Sequence, residues 1–125
     1  MSQVIEEIVD FREHTSLPVN RHPKRLPHSR AQLQLRLINE EVTELDEAIE
    51  NASLQDIADA LGDLIVVTVG AMCEYGLPIE RVMNEIYVSN MSKLDDDMKP
   101  VYRADGKLLK GRNFRPPDFS FLGES

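Results

Sequence analysis

The stretch that most constrains this chain lies between Arg36 and Arg81. It holds no lysine or arginine, yet its carboxylates recur at helical spacing on two consecutive segments. Glu40, Glu41 and Glu44 fall within an arc of roughly 100° on one helix, and Asp56, Asp59 and Asp63 within roughly 60° on the next. Two consecutive helices joined by a short turn pack antiparallel, so these acidic faces can meet. Asp63 is the sharpest member, because it sits inside the apolar run ADALGDLIVVTVGAMC with no cation nearby in sequence. An ionised carboxylate in such surroundings is costly unless something positive pairs with it. A bound metal ion is the natural partner.

All-oxygen ligation suits Mg²⁺, with Mn²⁺ as a substitute, whereas Zn²⁺ would want histidine or cysteine. Mg²⁺ keeps several waters and bridges phosphates, which points to phosphate-ester chemistry. A di-iron bundle also lines its core with carboxylates, but it needs Glu-x-x-His pairs. His14, His22 and His28 all lie outside the acidic segments, so that reading fails. Glu47 and Glu50 read as solvated surface residues. Seen alone, Glu40 and Glu44 would read the same way.

Charge excludes one class of partner. A net charge of −8 leaves no basic face for sequence-independent binding to a nucleic-acid backbone. The cations instead collect in the tail, at Lys93, Lys99, Arg103, Lys107, Lys110, Arg112 and Arg115. A compact polyanion held through metal fits between such halves; a solvated acidic face with a solubilising tail is the plainer alternative. No apolar run approaches the roughly 20 residues that span a membrane, and MSQVIEEIVDF lacks a signal pattern. The expectation is a cytoplasmic protein with no membrane partner. Cys73, the single cysteine, excludes an internal disulfide and reads as a core residue. At 125 residues the chain is expected to form one domain, 1–125.

Periodicity predicts four helices. Val4, Ile5, Ile8, Val9 and Phe11 mark a first over 2–14, followed by the proline-bearing loop SLPVNRHPKRLPHS. A long second helix has Leu33, Leu37, Ile38, Leu45 and Ile49 as its apolar stripe, with Ser29 and Gln32 as a possible capping box. Ser53 caps the third, which stops at Gly76. Its second half is apolar nearly all round, so it should be central or lie in a subunit interface. Gly62 and Gly70 would let a neighbouring helix approach. The fourth helix is PIERVMNEIYVSNMSKL, with Pro78 in its first turn. In VYRADGKLL an Asp-Gly pair between short apolar runs signals a β-hairpin. The expected fold is all-α, a four-helix bundle-like core with a small C-terminal β-hairpin and an irregular tail.

NEEVTEL followed by DIADALGDLIVV resembles the all-α nucleoside triphosphate pyrophosphohydrolases, the group of MazG-like, dimeric dUTPase and phosphoribosyl-ATP pyrophosphohydrolase proteins. Their signature is EExxE on one helix and ExxD on the next. Glu40, Glu41 and Glu44 match the first half, and Asp63 matches the final Asp. The resemblance continues through YGLPIERVMNEIYVSNMSKL and DGKLLKGRNFRPPD. One departure stands out: the acid three residues before the final Asp falls on Ala60. Asp59 or Asp56 could substitute from the same helical face, or the two could form a D-x-x-D pair.

The resemblance implies Mg²⁺-dependent hydrolysis of a nucleoside triphosphate, dUTP or a non-standard dNTP, to the monophosphate and pyrophosphate. It implies metal ligation by Glu40, Glu41, Glu44, Asp59 and Asp63, with Asp56 as the alternative to Asp59, and Glu41 is the expected general base. Asn90 and Lys93, with Lys107, Lys110 and Arg112 from the tail, become expected phosphate contacts. Phe11, His14 and Asn20 are expected near the base. A homodimer, or a dimer of dimers, follows as well. Phosphoribosyl-ATP hydrolysis and a non-catalytic helical interaction module remain as competing readings.

Overall fold

The computed structural model describes residues 2–123 and contains four helices: α1 (Gln3–His14), α2 (His28–Glu50), α3 (Leu54–Glu74) and α4 (Ile79–Met91). A 3-10 turn spans Ser120–Leu122. The chain divides into two compact units, Met1–Ile79 and Glu80–Ser125.

In the first unit α3 packs along α2, and α1 packs on α3. Local chemistry sets most of the helix ends. The Ser53 hydroxyl accepts from the Asp56 amide at 3.2 Å, satisfying one orphan donor of α3. Gly76 ends α3 in the left-handed region at φ 65°, and a Cβ there would lie 2.1 Å from the His22 carbonyl oxygen. That close approach lets the proline-bearing loop seat on the end of α3. The Asn20 amide donates to the Cys73 carbonyl and the Lys24 amide to the Tyr75 carbonyl, both at 3.0 Å. The Ser29–Gln32 capping box does not form. Helix α2 starts one residue earlier, at His28, with Pro27 in the cap position and no side-chain cap, so Ser29 already lies within the first turn.

Ile8, Ala48, Ala60 and Cys73 are buried in this unit. Gly70 allows the expected close approach: a Cβ there would lie 2.8 Å from Arg12 Nη1 of α1. Gly62 does not, since a Cβ there would meet nothing within 4 Å. Nor is the apolar half of α3 central within this chain, because Leu61, Ile65 and Val66 keep 45%, 53% and 39% of their surface exposed. On α2, Ile49 is likewise exposed rather than part of the buried stripe, and with Leu35 and Val42 it forms an outward row spaced by seven residues.

In the second unit Val82 is buried. Helix α4 ends at Met91, short of the expected Leu94, and passes into turns. The tail then returns along it. The Gly111 amide donates to the Lys93 carbonyl at 2.8 Å, and the Ser89 hydroxyl donates to the Arg115 carbonyl at 2.9 Å. Arg81 lies 4.1 Å from the ring centroid of Phe121. The expected β-hairpin is absent: among the described residues no strand forms, and Tyr102 and Leu108 share one isolated antiparallel bridge. The runs beside the Asp-Gly turn are only a few residues long, and Pro100 supplies no amide donor to extend the ladder.

Candidate active site

Glu41 and Glu44 are three residues apart on α2, so they rise from adjacent turns of one face. Antiparallel packing of α3 brings Asp63 to the same place. One carboxylate oxygen from each of the three lies within 4.8 Å of the others. Glu41 is half-buried, and its Oε2 is wholly inaccessible with no hydrogen-bond partner. Loss of hydration, then the closeness and charge of Glu44, and then the charges of Asp63 and Glu40 push its carboxyl above the usual range. Among the described residues, no lysine, arginine or histidine forms an ion pair with any of the three. Three converging carboxylates repel one another unless a proton or a cation is shared among them. The orphaned buried oxygen and the all-oxygen donor set fit a hard divalent cation.

The other expected ligands lie around this triad. Glu40 lines a cavity of about 550 Å³ together with Arg36, Asn39, Thr43, Glu44 and Glu47. Asp56 and Asp59 line a second, of about 200 Å³, with Glu44, Glu47, Ala48, Asn51 and Ala60. Glu44 therefore belongs to the triad and to both cavities. Asp63 meets Glu41 and Glu44 directly, whereas Asp56 and Asp59 stand beside them. Ala60, at the position where the resemblance leaves an acid missing, is buried.

Asn90 is exposed in the last turn of α4, and Lys93 is half-buried just beyond it. Lys110 Nζ lies 4.7 Å from the ring centroid of Phe114, Arg112 pairs with Asp96, and Lys107 is exposed. Phe11 is exposed on α1. His14 Nδ1 lies 2.9 Å from the Asp10 carbonyl oxygen; that contact, followed by the Asp10 charge, raises the pKa of its ring. Asn20 is committed structurally, its Nδ2 donating to the Glu74 carbonyl at 2.6 Å. None of these last three lines either cavity.

A second acidic centre on α3 escapes sequence reasoning. Glu74 is only 1% exposed. Its Oε2 accepts from Arg12 Nη2 at 2.6 Å and from Arg30 Nη2 at 2.7 Å, while Oε1 accepts from Arg30 Nε at 2.7 Å. Arg12 Nε also donates to the Pro18 carbonyl at 3.0 Å. Hydrogen bonding to Arg30 first, then its charge and the contact with Arg12, hold the Glu74 carboxyl below the usual range despite burial. The signal was Arg12 itself, four residues after Ile8 on the buried face of α1.

Helix α2 also carries its charges against its own dipole. His28 and Arg30 lie in its first turn and Glu47 and Glu50 in its last, the reverse of what the macrodipole favours. Its acidic half is thus not placed for helix stability.

A family model described as phosphoribosyl-ATP pyrophosphohydrolase matches residues 8–90. That span takes in all three acids of the triad and stops before Lys93 and the basic tail. No curated protein matches the chain.

Proposed function

Since the chain belongs to the phosphoribosyl-ATP pyrophosphohydrolase family, whose members act on phosphoanhydride bonds, we propose that it hydrolyses a nucleoside triphosphate to the monophosphate and pyrophosphate in a Mg²⁺-dependent reaction. The observation that carries this reading is the triad of Glu41, Glu44 and Asp63, with its unpartnered buried oxygen. These three would hold the ion, Mn²⁺ substituting, with Glu40, Asp59 and Asp56 flanking them. When bound, a divalent ion supplies charge neutralisation for the phosphates and favours deprotonation of water. Glu41 is the residue that would accept the proton of the attacking water as general base. Glu44 and Asp63, fixed on two packed helices, hold the constellation rigid.

The substrate is dUTP or a non-standard dNTP; the description of the matched family favours phosphoribosyl-ATP as a second reading. From the resemblance we retain Asn90, Lys93, Lys107, Lys110 and Arg112 as phosphate contacts and Phe11 and His14 as base contacts, with residues 1–125 acting as one domain in the cytoplasm. The exposed rows Leu61, Ile65 and Val66 on α3 and Leu35, Val42 and Ile49 on α2 support a homodimer or a dimer of dimers. Light scattering at micromolar concentration tests this, and a monomer would refute it. Among the described residues no helix is long and apolar enough to cross a membrane.

The test of activity is a panel of nucleotides and phosphoribosyl-ATP incubated with Mg²⁺, read as pyrophosphate and monophosphate. Turnover of dNTPs supports the first reading. Turnover confined to phosphoribosyl-ATP supports the second. A folded chain that turns over nothing and binds no Mg²⁺ leaves the helical interaction module.

A further inference from the structure

Every arginine but one is already engaged. Arg12 and Arg30 hold Glu74, Arg21 pairs with Glu13, Arg103 with Asp105, Arg112 with Asp96 and Arg115 with Glu85. Arg81 stacks over Phe121, and Arg25 has an interaction of its own. Among the described arginines Arg36 alone has no ion pair, hydrogen bond or ring contact. Its neighbour at i+4 is Glu40, a spacing at which opposite charges commonly pair on a helix, yet the pair is not made.

This unpaired guanidinium is exposed on α2 and lines an open groove of about 550 Å³. It is the one positive group in a lining that carries Glu40, Glu44 and Glu47. Through Glu44 the cavity adjoins the acid triad. Arg36 precedes Glu41 by five residues and Glu44 by eight, roughly 8 and 12 Å of helical rise. An extended arginine and a chain of phosphate groups can together bridge that separation. Charge balance is also served by such a group. A triphosphate carries more negative charge than one divalent cation offsets, and the carboxylates around the cavity enlarge the excess.

We infer that Arg36 is a substrate-binding residue whose guanidinium holds a phosphate group of the substrate at the end of the cavity remote from the acid triad. The planar fork suits two phosphate oxygens at once, which a lysine ammonium cannot reproduce. The inference rests on the pyrophosphohydrolase reading and adds to it a contact on the N-terminal half of α2.

Two variants test it, Arg36→Gln and Arg36→Lys. Tripolyphosphate binding is measured by calorimetry in the presence of Mg²⁺, and KM and kcat by pyrophosphate release. Arg36→Gln should weaken tripolyphosphate binding and raise KM by about 10- to 100-fold, the worth of a charge-assisted hydrogen-bonded contact. The melting temperature and kcat should change little, and Arg36→Lys should recover part of the loss. A KM defect confined to phosphoribosyl-ATP assigns the guanidinium to the second phosphate of that substrate. Tripolyphosphate affinity and KM both unchanged in Arg36→Gln, for every substrate, overturn the inference while wild-type turnover leaves the catalytic reading intact. Loss of tripolyphosphate binding in a chain that hydrolyses no nucleotide upholds the phosphate contact and sinks the catalytic reading instead.

Discussion

Asp63 and Glu74 stand eleven residues apart on one helix, each a carboxylate in an apolar stretch, and their surroundings are opposite. Glu74 is sealed from water and answered by two guanidiniums. Asp63 is half-buried, has no cation, and faces two further carboxylates. The first arrangement ties α1, the following loop, α2 and α3 together. The second costs stability unless something positive arrives from outside. One acid is committed to the fold, and the other is left without a counter-charge.

The largest effect should come from the sealed end. Glu74→Gln leaves two guanidiniums without their counter-charge, and breaking a buried ion pair in this way costs about 3–5 kcal/mol. Thermal or urea unfolding would show it. A loss under 1 kcal/mol would mean that the network adds nothing to the fold, and the contrast collapses.

Next comes Asp63→Asn, which should reduce Mg²⁺-dependent pyrophosphate release by about 100-fold or more, some 3 kcal/mol of transition-state stabilisation. The fold should survive. Wild-type rates in this variant would refute the assignment of the triad.

The two ends should also separate by pH. Because the folded Glu74 carboxyl titrates below its ordinary value of 4.5, its stabilisation is complete above that value. It is lost as the pH falls through the lower folded one. The wild-type melting temperature should therefore decline through this acid window, while Glu74→Gln, already weakened, should decline less. Parallel declines would show that Glu74 does not govern acid unfolding.

The smallest effect sharpens the other side. Glu41→Gln removes one of three mutually repelling carboxylates, so without metal it should be neutral or more stable by up to about 1 kcal/mol, while losing Mg²⁺ affinity in calorimetry. A marked loss of stability without metal would make Glu41 a structural residue.

Much of the helical framework was legible locally. Ser53 and Gly76 mark the ends of α3 because a cap hydroxyl and a left-handed glycine act over three or four residues. The capping box at Ser29 misled because the helix already starts at His28, which leaves Ser29 inside its first turn. The Asp-Gly pair foretold a turn, and Gly106 does take a positive φ of 90°, but the flanking runs are too short to become strands. At the site, Glu41, Glu44 and Asp63 could be paired from spacing and resemblance, whereas the place of Asp56 and Asp59 beside the triad could not. Arg36 entered the sequence reading only as the edge of a region without cations.

What the sequence by itself determined is whatever depends on neighbours within a turn or two: four helices, their acidic faces, and acidic segments that hold no histidine. The tertiary structure decided which carboxylate is answered. Arg12 reaches Glu74 across 62 positions and Arg30 across 44, and no local pattern encodes that meeting. A carboxylate's environment is set by burial and by the charges that packing brings within a few ångströms. For that reason, two acids that look alike along α3 differ only once α1 and α2 are laid against it.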